Sequence, residues 1–219
     1  MSFDPLPKSL LRRLQEEPGL CVLDLGCGDG RFGRVLAGNG ARPVGLDRCP
    51  PGLGSSAQVV GDVVYPPLAV GCWSMVAAAN LVRHLAAGAA LVPVVNRWLD
   101  LLTPGGDLYL LEDAPGGQEP AQRNYAALQD LLAELPDRGP LLDREEIVGR
   151  LECSDAQVVE AGSMFNIYDL DATAVVSMLR RGELPEESPA ARLAAAIERD
   201  GVACGPYWWL HLRRKNRNQ

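Results

Sequence analysis

The chain has 219 residues, 47% hydrophobic and 22% charged, which suits one globular domain with a sizeable core. Its 28 acidic residues outnumber 21 basic ones, and the net charge of −7 disfavours nucleic acid as a partner. Six cysteines without a C-x-x-C pair and only two histidines exclude a recognisable zinc site and fit reduced thiols in a cytoplasmic protein. No signal-peptide pattern opens the chain. The longest apolar stretch, 75–95, is interrupted by Asn80, Arg83, His84 and Pro93, so no membrane association is expected.

In chain order, a helix is predicted over 7–17, stopped by Pro18-Gly19, and a strand over 21–25. A helix over 31–37 follows, then a strand over 43–46 ending at Asp47. Residues 50–54 read as a loop, 58–60 as a short third strand and 75–79 as a fourth. A long helix is predicted over 86–102, with Pro93 kinking or breaking it, and Thr103-Pro104-Gly105-Gly106 stops it before a strand over 107–112. Helices over 121–134 and 143–151 come next, the second opened by an Asp143 cap, and stretches 113–120 and 136–140 read as surface loops. A sixth strand is predicted at 157–160 and an aromatic last strand at 207–213, with helices over 169–181 and 189–200 between them. The alternation of strand and helix signals points to an α/β fold with a largely parallel sheet.

The most chemically specific segment is 21–33, CVLDLGCGDGRFG, in which a strand runs into Gly26-x-Gly28-x-Gly30 ahead of a helix. Glycines there allow positive φ and close approach of a ligand to the backbone. Two frames share these residues. Gly28, Gly30 and Gly33 fit G-x-G-x-x-G, the dinucleotide fingerprint, and imply NAD. The second frame is Asp24-x-Gly26-x-Gly28-x-Gly30. A carboxylate at the strand end repels a pyrophosphate and suits a cofactor carrying a cationic amine or sulfonium.

Polar residues also close the following strands, where an open α/β sheet binds its ligand. Asp47, 19 residues after Gly28, is placed to accept hydrogen bonds from both hydroxyls of a ribose, whether of NAD or another nucleoside cofactor. Asp62 is placed to accept one from an adenine amino group, and Asn80 ends the fourth strand opposite the glycine turn. The segments VLDLGCGDG, VGLD (ending at Asp47), GDV (around Asp62), AANLVRHL (78–85) and LTPGGDLYLLE (102–112) cover 20–113 in order. Together they resemble the class I S-adenosylmethionine (SAM) dependent methyltransferases.

That resemblance implies a Rossmann-like, doubly wound, mainly parallel seven-stranded sheet with its last strand antiparallel. Asp24, Gly26 and Gly28 would surround the methionine end of SAM, Asp47 would hold the ribose, and Asp62 with the Val63 backbone would hold the adenine. Asn80 completes the set of cofactor-site candidates. The chain would be one domain over 1–219: an N-terminal helix in 1–20, a SAM-binding half over 20–113, and a second half over 114–219. Within that second half a helical insert at about 163–205 would replace the usual hairpin between strands six and seven. Such an insert serves as a lid or as a homodimer contact. Ser74, where many members carry an acid, and Asp29, at a turn position often small or hydroxylated, depart from the family pattern.

The expected reaction is SN2-like methyl transfer to a small-molecule acceptor. An NAD-dependent oxidoreductase and a non-catalytic SAM-binding regulator remain the alternatives. His84 is the candidate base, equally readable as a packed histidine, while His211 inside the last strand reads as structural. Tyr207-Trp208-Trp209 read as core, and the basic end Arg213-Arg214-Lys215 with Arg217 as solvated. Met164, Phe165 and Tyr168 are placed to line an acceptor pocket.

Overall fold

A computed structural model describes residues 6–49, 57–86, 91–135, 138–180, 185 and 187–215. The predicted loop at 50–54, residues 87–90 of the predicted long helix, 136–137 of the second loop, and Arg217 lie outside them. The strands are β1 (Cys21–Leu25), β2 (Arg42–Asp47), β3 (Gln58–Val60), β4 (Trp73–Ala79), β5 (Leu102–Asp113), β6 (Ala156–Asp169) and β7 (Ala203–Arg214). They form one sheet in the order β3-β2-β1-β4-β5-β7-β6. Neighbours from β3 to β5 are parallel, and β7 runs antiparallel to both β5 and β6.

The apolar runs of the central strands are buried on both faces, as parallel strands between helical layers require. Leu23, Val76, Leu108, Leu110 and Leu210 face one layer, which contains α3 (Val82–Ala86), α4 (Leu91–Leu101) and α6 (Arg144–Leu151). The alternate residues Val22, Met75, Tyr109, Leu111 and Trp209 face α1 (Lys8–Glu16) and α2 (Arg31–Gly38). A third cluster joins Tyr125 and Leu128 of α5 (Pro120–Ala133) to Val176 of α7 (Ala172–Leu179) and Leu193 and Ile197 of α8 (Pro189–Asp200). Tyr207, Trp208 and Trp209 are core residues, as expected.

Several elements differ from the sequence expectation. Of the helix predicted over 86–102, the described part is Ala86, at the end of α3, and Leu91–Leu101, which is α4, while Leu102 begins β5. Pro93 sits in the first turn of α4, where its missing N–H has no helical acceptor to satisfy. The Thr103–Gly106 stretch belongs to β5 as an irregularity, since pairing with β4 shifts between Trp73 and Met75. Asp143 precedes α6, but its side chain makes no capping hydrogen bond. The side chains of Asp171 and Ser188 do cap α7 and α8, each accepting from a backbone N–H at 3.1 Å.

The largest difference is in β6 and β7. They pair antiparallel from Ala156 and Arg214 to Asp169 and Ala203, well beyond 157–160 and 207–213. The hairpin is therefore retained, and α7 and α8 form its enlarged connection across 170–202, a narrower insert than 163–205. Gly162, Ser163, Gly205 and Pro206 weaken the local strand signal, and cross-strand pairing overrides it.

Gly45 of β2 pairs with Asp24 of β1. A Cβ at Gly45 would lie 2.5 Å from Cys27 Sγ and 3.0 Å from Cys27 Cβ. Gly45→Ala is expected to displace the glycine turn and destabilise the fold by about 1–3 kcal/mol. Urea denaturation measures this, and an unchanged midpoint would contradict the clash.

Candidate functional site

β1 delivers the chain into a turn in which Gly26, Gly28 and Gly30 have φ of 66°, 51° and 75°. Residues with a Cβ pay to enter that left-handed region, which is why glycine occupies it. The turn is fastened to the end of β2. Gly26 N–H and Cys27 N–H donate to the Leu46 carbonyl at 2.7 and 3.3 Å, and Gly28 N–H donates to Asp47 Oδ2 at 2.9 Å. The other Asp47 oxygen accepts from Cys49 N–H at 2.9 Å, so the carboxylate is fixed in orientation. Asp29 faces solvent and pairs with Arg31 at 2.6 Å.

Asp24 is 2% exposed, and its Oδ2 has no hydrogen-bond partner among the described residues. Burial pushes its carboxyl up to about 7, with a Gly33 N–H opposing and the Asp47 charge reinforcing the rise. The Cys27 thiol is pushed up to about 12 by burial and by the same two carboxylates. The folded state thus holds the Asp24 proton more tightly than the unfolded chain between pH 3.8 and about 7. Stability from this group is full below that window and declines as pH rises through it. Asp24→Asn should shallow the decline in thermal midpoint between pH 4 and 7, and an identical slope in the variant would assign the decline elsewhere.

Asp62 follows β3, with Oδ1 accepting from Val64 N–H at 2.8 Å. Val63 is buried, and its carbonyl accepts from the Trp98 indole N–H at 2.8 Å, so α4 holds this loop. Asn80, after β4, has φ 52° and is the non-glycine residue with positive φ among the described residues. Its side chain donates to Asp113 Oδ2 at 3.1 Å and accepts from Asp113 N–H at 3.0 Å. Asp113 also accepts from the Tyr125 hydroxyl at 2.6 Å. Glu112, 1% exposed, accepts from the Val82 and Arg83 N–H groups at the start of α3. Burial pushes Glu112 up to about 8, with Arg83 opposing, and also raises Asp113.

These strand ends surround a cavity of about 420 Å³. Gly26, Asp47, Asp62, Val63, Asn80 and His84 line it, together with Arg48, Val64, Leu81 and Leu85. Asp24 and Gly28 do not line it: Asp24 is buried with a Gly33 N–H on its carboxyl, and Gly28 N–H is engaged by Asp47. Arg48, Glu112, Asp113 and Tyr125 were not singled out in the sequence. The acidic pair that closes the apolar run of β5 is a local signal for Glu112 and Asp113, and Arg48 and Tyr125 carry none.

A larger cavity of about 1010 Å³ opens at the other end of the sheet, beside Thr103, Gly105, Arg213, Arg214 and Lys215. Its bases are already engaged. Arg213 pairs with Asp107 at 2.7 Å, Arg214 with Asp100 at 2.6 Å, and Lys215 Nζ donates to the Glu152 and Ser154 carbonyls. His211 likewise hydrogen-bonds Asp107 at 2.7 Å and stacks on Tyr109, the structural place expected for it. Burial alone would raise Asp107, but His211 and Arg213 hold it below the ordinary carboxylate range. Among the described residues no cluster of ligating side chains would hold a metal ion, and no helix is long and apolar enough to cross a membrane. Phe165 is solvent-exposed, Met164 Sδ accepts from the Tyr207 hydroxyl, and the Tyr168 side chain lies outside the described set.

A parallel sheet carrying one antiparallel strand between β5 and β6, with a glycine turn and strand-end acids around one cavity, defines the class I methyltransferase architecture. It departs from the 3-2-1-4-5-6 order of dinucleotide-binding folds, which weighs against the NAD frame. A family model described as a methyltransferase domain matches residues 23–110. No curated protein sequence matches the chain. Among solved structures, a cyclopropane-fatty-acyl-phospholipid synthase-like protein from Lactobacillus casei is 16% identical, with a TM-score of 0.65, covering 93% of this chain and 89% of that one. A candidate methyltransferase from Bacillus halodurans is 15% identical, with a TM-score of 0.60, covering 95% and 100%. Phosphoethanolamine N-methyltransferase 2 of Haemonchus contortus, in complex with phosphomonomethylethanolamine and S-adenosylhomocysteine, is 13% identical with a TM-score of 0.56; the match covers 95% of this chain and 52% of that one. Residues 23–110 thus match a methyltransferase domain, and the fold of the whole chain is similar to that of these solved structures.

Proposed function

We propose that this chain, as a single domain over 1–219, transfers a methyl group from SAM to a small-molecule acceptor. The observation that carries the reading is the cavity of about 420 Å³ at the C-terminal ends of β1, β2 and β4, with Asp47 and Asp62 on its wall and Asp24 buried in β1. Three carboxyl groups beside one arginine, Arg48, fit a ligand bearing a positive charge. The unpartnered Asp24 Oδ2 fits the same ligand, because a nearby cation favours the ionised carboxyl.

SAM supplies a methyl group already activated by its sulfonium. The residues therefore bind, orient and exclude water. Asp47 takes the ribose hydroxyls, its orientation set by the Gly28 and Cys49 amides. Asp62 and the Val63 backbone take the adenine, with Trp98 fixing Val63. Gly26, on the cavity wall, is proposed to meet the methionine end opposite Asn80, with Gly28 and the buried Asp24 next to it along the chain. Alignment of donor and acceptor supplies much of the rate, so a dedicated base is not required. His84, on the cavity wall, is the candidate for an acceptor that must lose a proton. Met164 and Phe165 are proposed to meet the acceptor. The site is proposed to work in the cytoplasm.

Calorimetry with SAM, S-adenosylhomocysteine and NAD tests the donor: binding of the first two without NAD is expected, and NAD binding without SAM overturns the reading. Incubation with methyl-labelled SAM and a metabolite extract tests the acceptor. Label in small molecules is expected, and label confined to protein or RNA overturns the acceptor class.

A further inference from the structure

Two adjacent carboxylates close β5 where a buried strand would be expected to stay apolar. Neighbouring residues on a strand face opposite sides, so Glu112 and Asp113 hold different partners. Glu112 takes the first amides of α3, while Asp113 takes both ends of the Asn80 side-chain amide. The Asn80 backbone N–H donates to the Leu111 carbonyl at 2.8 Å as well. Asparagine tolerates left-handed φ better than most residues, yet such a conformation persists only where the surroundings over-determine it. The surroundings here are β5 and, behind it, Tyr125.

Tyr125 does not line the cavity. It is 1% exposed on α5 and reaches Asp113 Oδ2 at 2.6 Å, on the oxygen that also accepts from Asn80. Two further side chains anchor α5 itself. Asn124 Nδ2 donates to the Ala196 and Gly201 carbonyls at 3.2 and 2.8 Å, and Gln129 Oε1 accepts from Arg83 at 3.0 Å. A rigid helix therefore fixes the carboxylate that fixes the cavity wall.

We propose that Tyr125 is a positioning residue of the donor site: through Asp113 it holds Asn80 in the left-handed conformation that shapes the wall at the methionine end. The proposal rests on the SAM reading above. Tyr125 touches neither donor nor acceptor, and it acts on the cavity through Asp113 and Asn80. A ligand that reaches past the ribose toward the methionine end feels the change, and a ligand without that end does not.

The test titrates wild type and Tyr125→Phe with S-adenosylhomocysteine and with 5′-methylthioadenosine, which keeps adenine and ribose but lacks the amino-acid end. Loss of one hydrogen bond to a carboxylate is expected to raise the S-adenosylhomocysteine Kd by about three- to tenfold. The 5′-methylthioadenosine Kd should change by less than about twofold, a split that general loosening of the core would not produce. Equal weakening of both ligands, or no weakening of either in a folded variant, overturns the proposal. Should Tyr125→Phe fail to fold, Asp113→Asn carries the same expected split, and its absence there is equally fatal. A wild type that binds no S-adenosylhomocysteine overturns the SAM reading itself. A wild type that binds it while Tyr125→Phe binds it equally well overturns only the role of Tyr125.

Discussion

Asp47→Ala is expected to weaken binding of S-adenosylhomocysteine by about 1–3 kcal/mol, the worth of charge-assisted hydrogen bonds to a sugar hydroxyl pair. The carboxylate is held at the end of β2 by two backbone amides, Gly28 and Cys49, so it is oriented before the ligand arrives. The substitution also leaves those amides without their acceptor, which loosens the glycine turn from β2. Asp47→Asn separates the two effects. It can retain one amide contact and one hydroxyl contact, and should lie between wild type and alanine. Calorimetry on all three proteins measures the series. Equal affinities across it would remove Asp47 from the site.

Trp98→Ala is expected to destabilise the protein by about 3–5 kcal/mol, measured by chemical denaturation. Trp98 is fully buried on α4 and among the largest side chains of the core. Its loss opens a void between helix and sheet and orphans the Val63 carbonyl, which accepts its indole N–H. Trp98→Phe keeps most of the apolar volume and removes only the donor. That variant should lose about 1–3 kcal/mol and bind 5′-methylthioadenosine more weakly, because the Asp62–Val63 loop is no longer tied to α4. A Trp98→Phe protein with wild-type stability and affinity would show that the hydrogen bond fixes nothing at the site.

Much of the first half was legible because its signals are local. The strand over 21–25 and the third strand over 58–60 stand as read, as does the helix over 189–200 in the second half. A run of apolar residues closed by a glycine turn or an aspartate specifies both the strand and its functional end. Glycine at 26, 28 and 30 is required by the positive φ at each, so the turn is written in the residues themselves. The second half was less legible. In β6, Gly162 and Ser163 carry no strand preference, and their conformation comes from pairing with Trp209 and Trp208 of β7. Thr103–Gly106 has the composition of a turn, yet pairing with β4 draws it into β5.

At the site, the sequence by itself determined which residues end the strands: Asp24, Asp47, Asp62 and Asn80. Their chemistry and spacing follow from one stretch of chain at a time, so composition and order reveal them. Only the tertiary structure decided how they meet. It brought Asp47, Asp62 and Asn80 to one cavity and buried Asp24 with a Gly33 N–H of α2 on its carboxyl, a contact that depends on how the helix packs on the strand. It also joined Asn80 to Asp113, 33 residues away, and Asp113 to Tyr125, 12 residues away. Contacts of that kind arise from the packing of α5 against β7 and α8, which sets Tyr125 beside the end of β5, and no local pattern of residues encodes them.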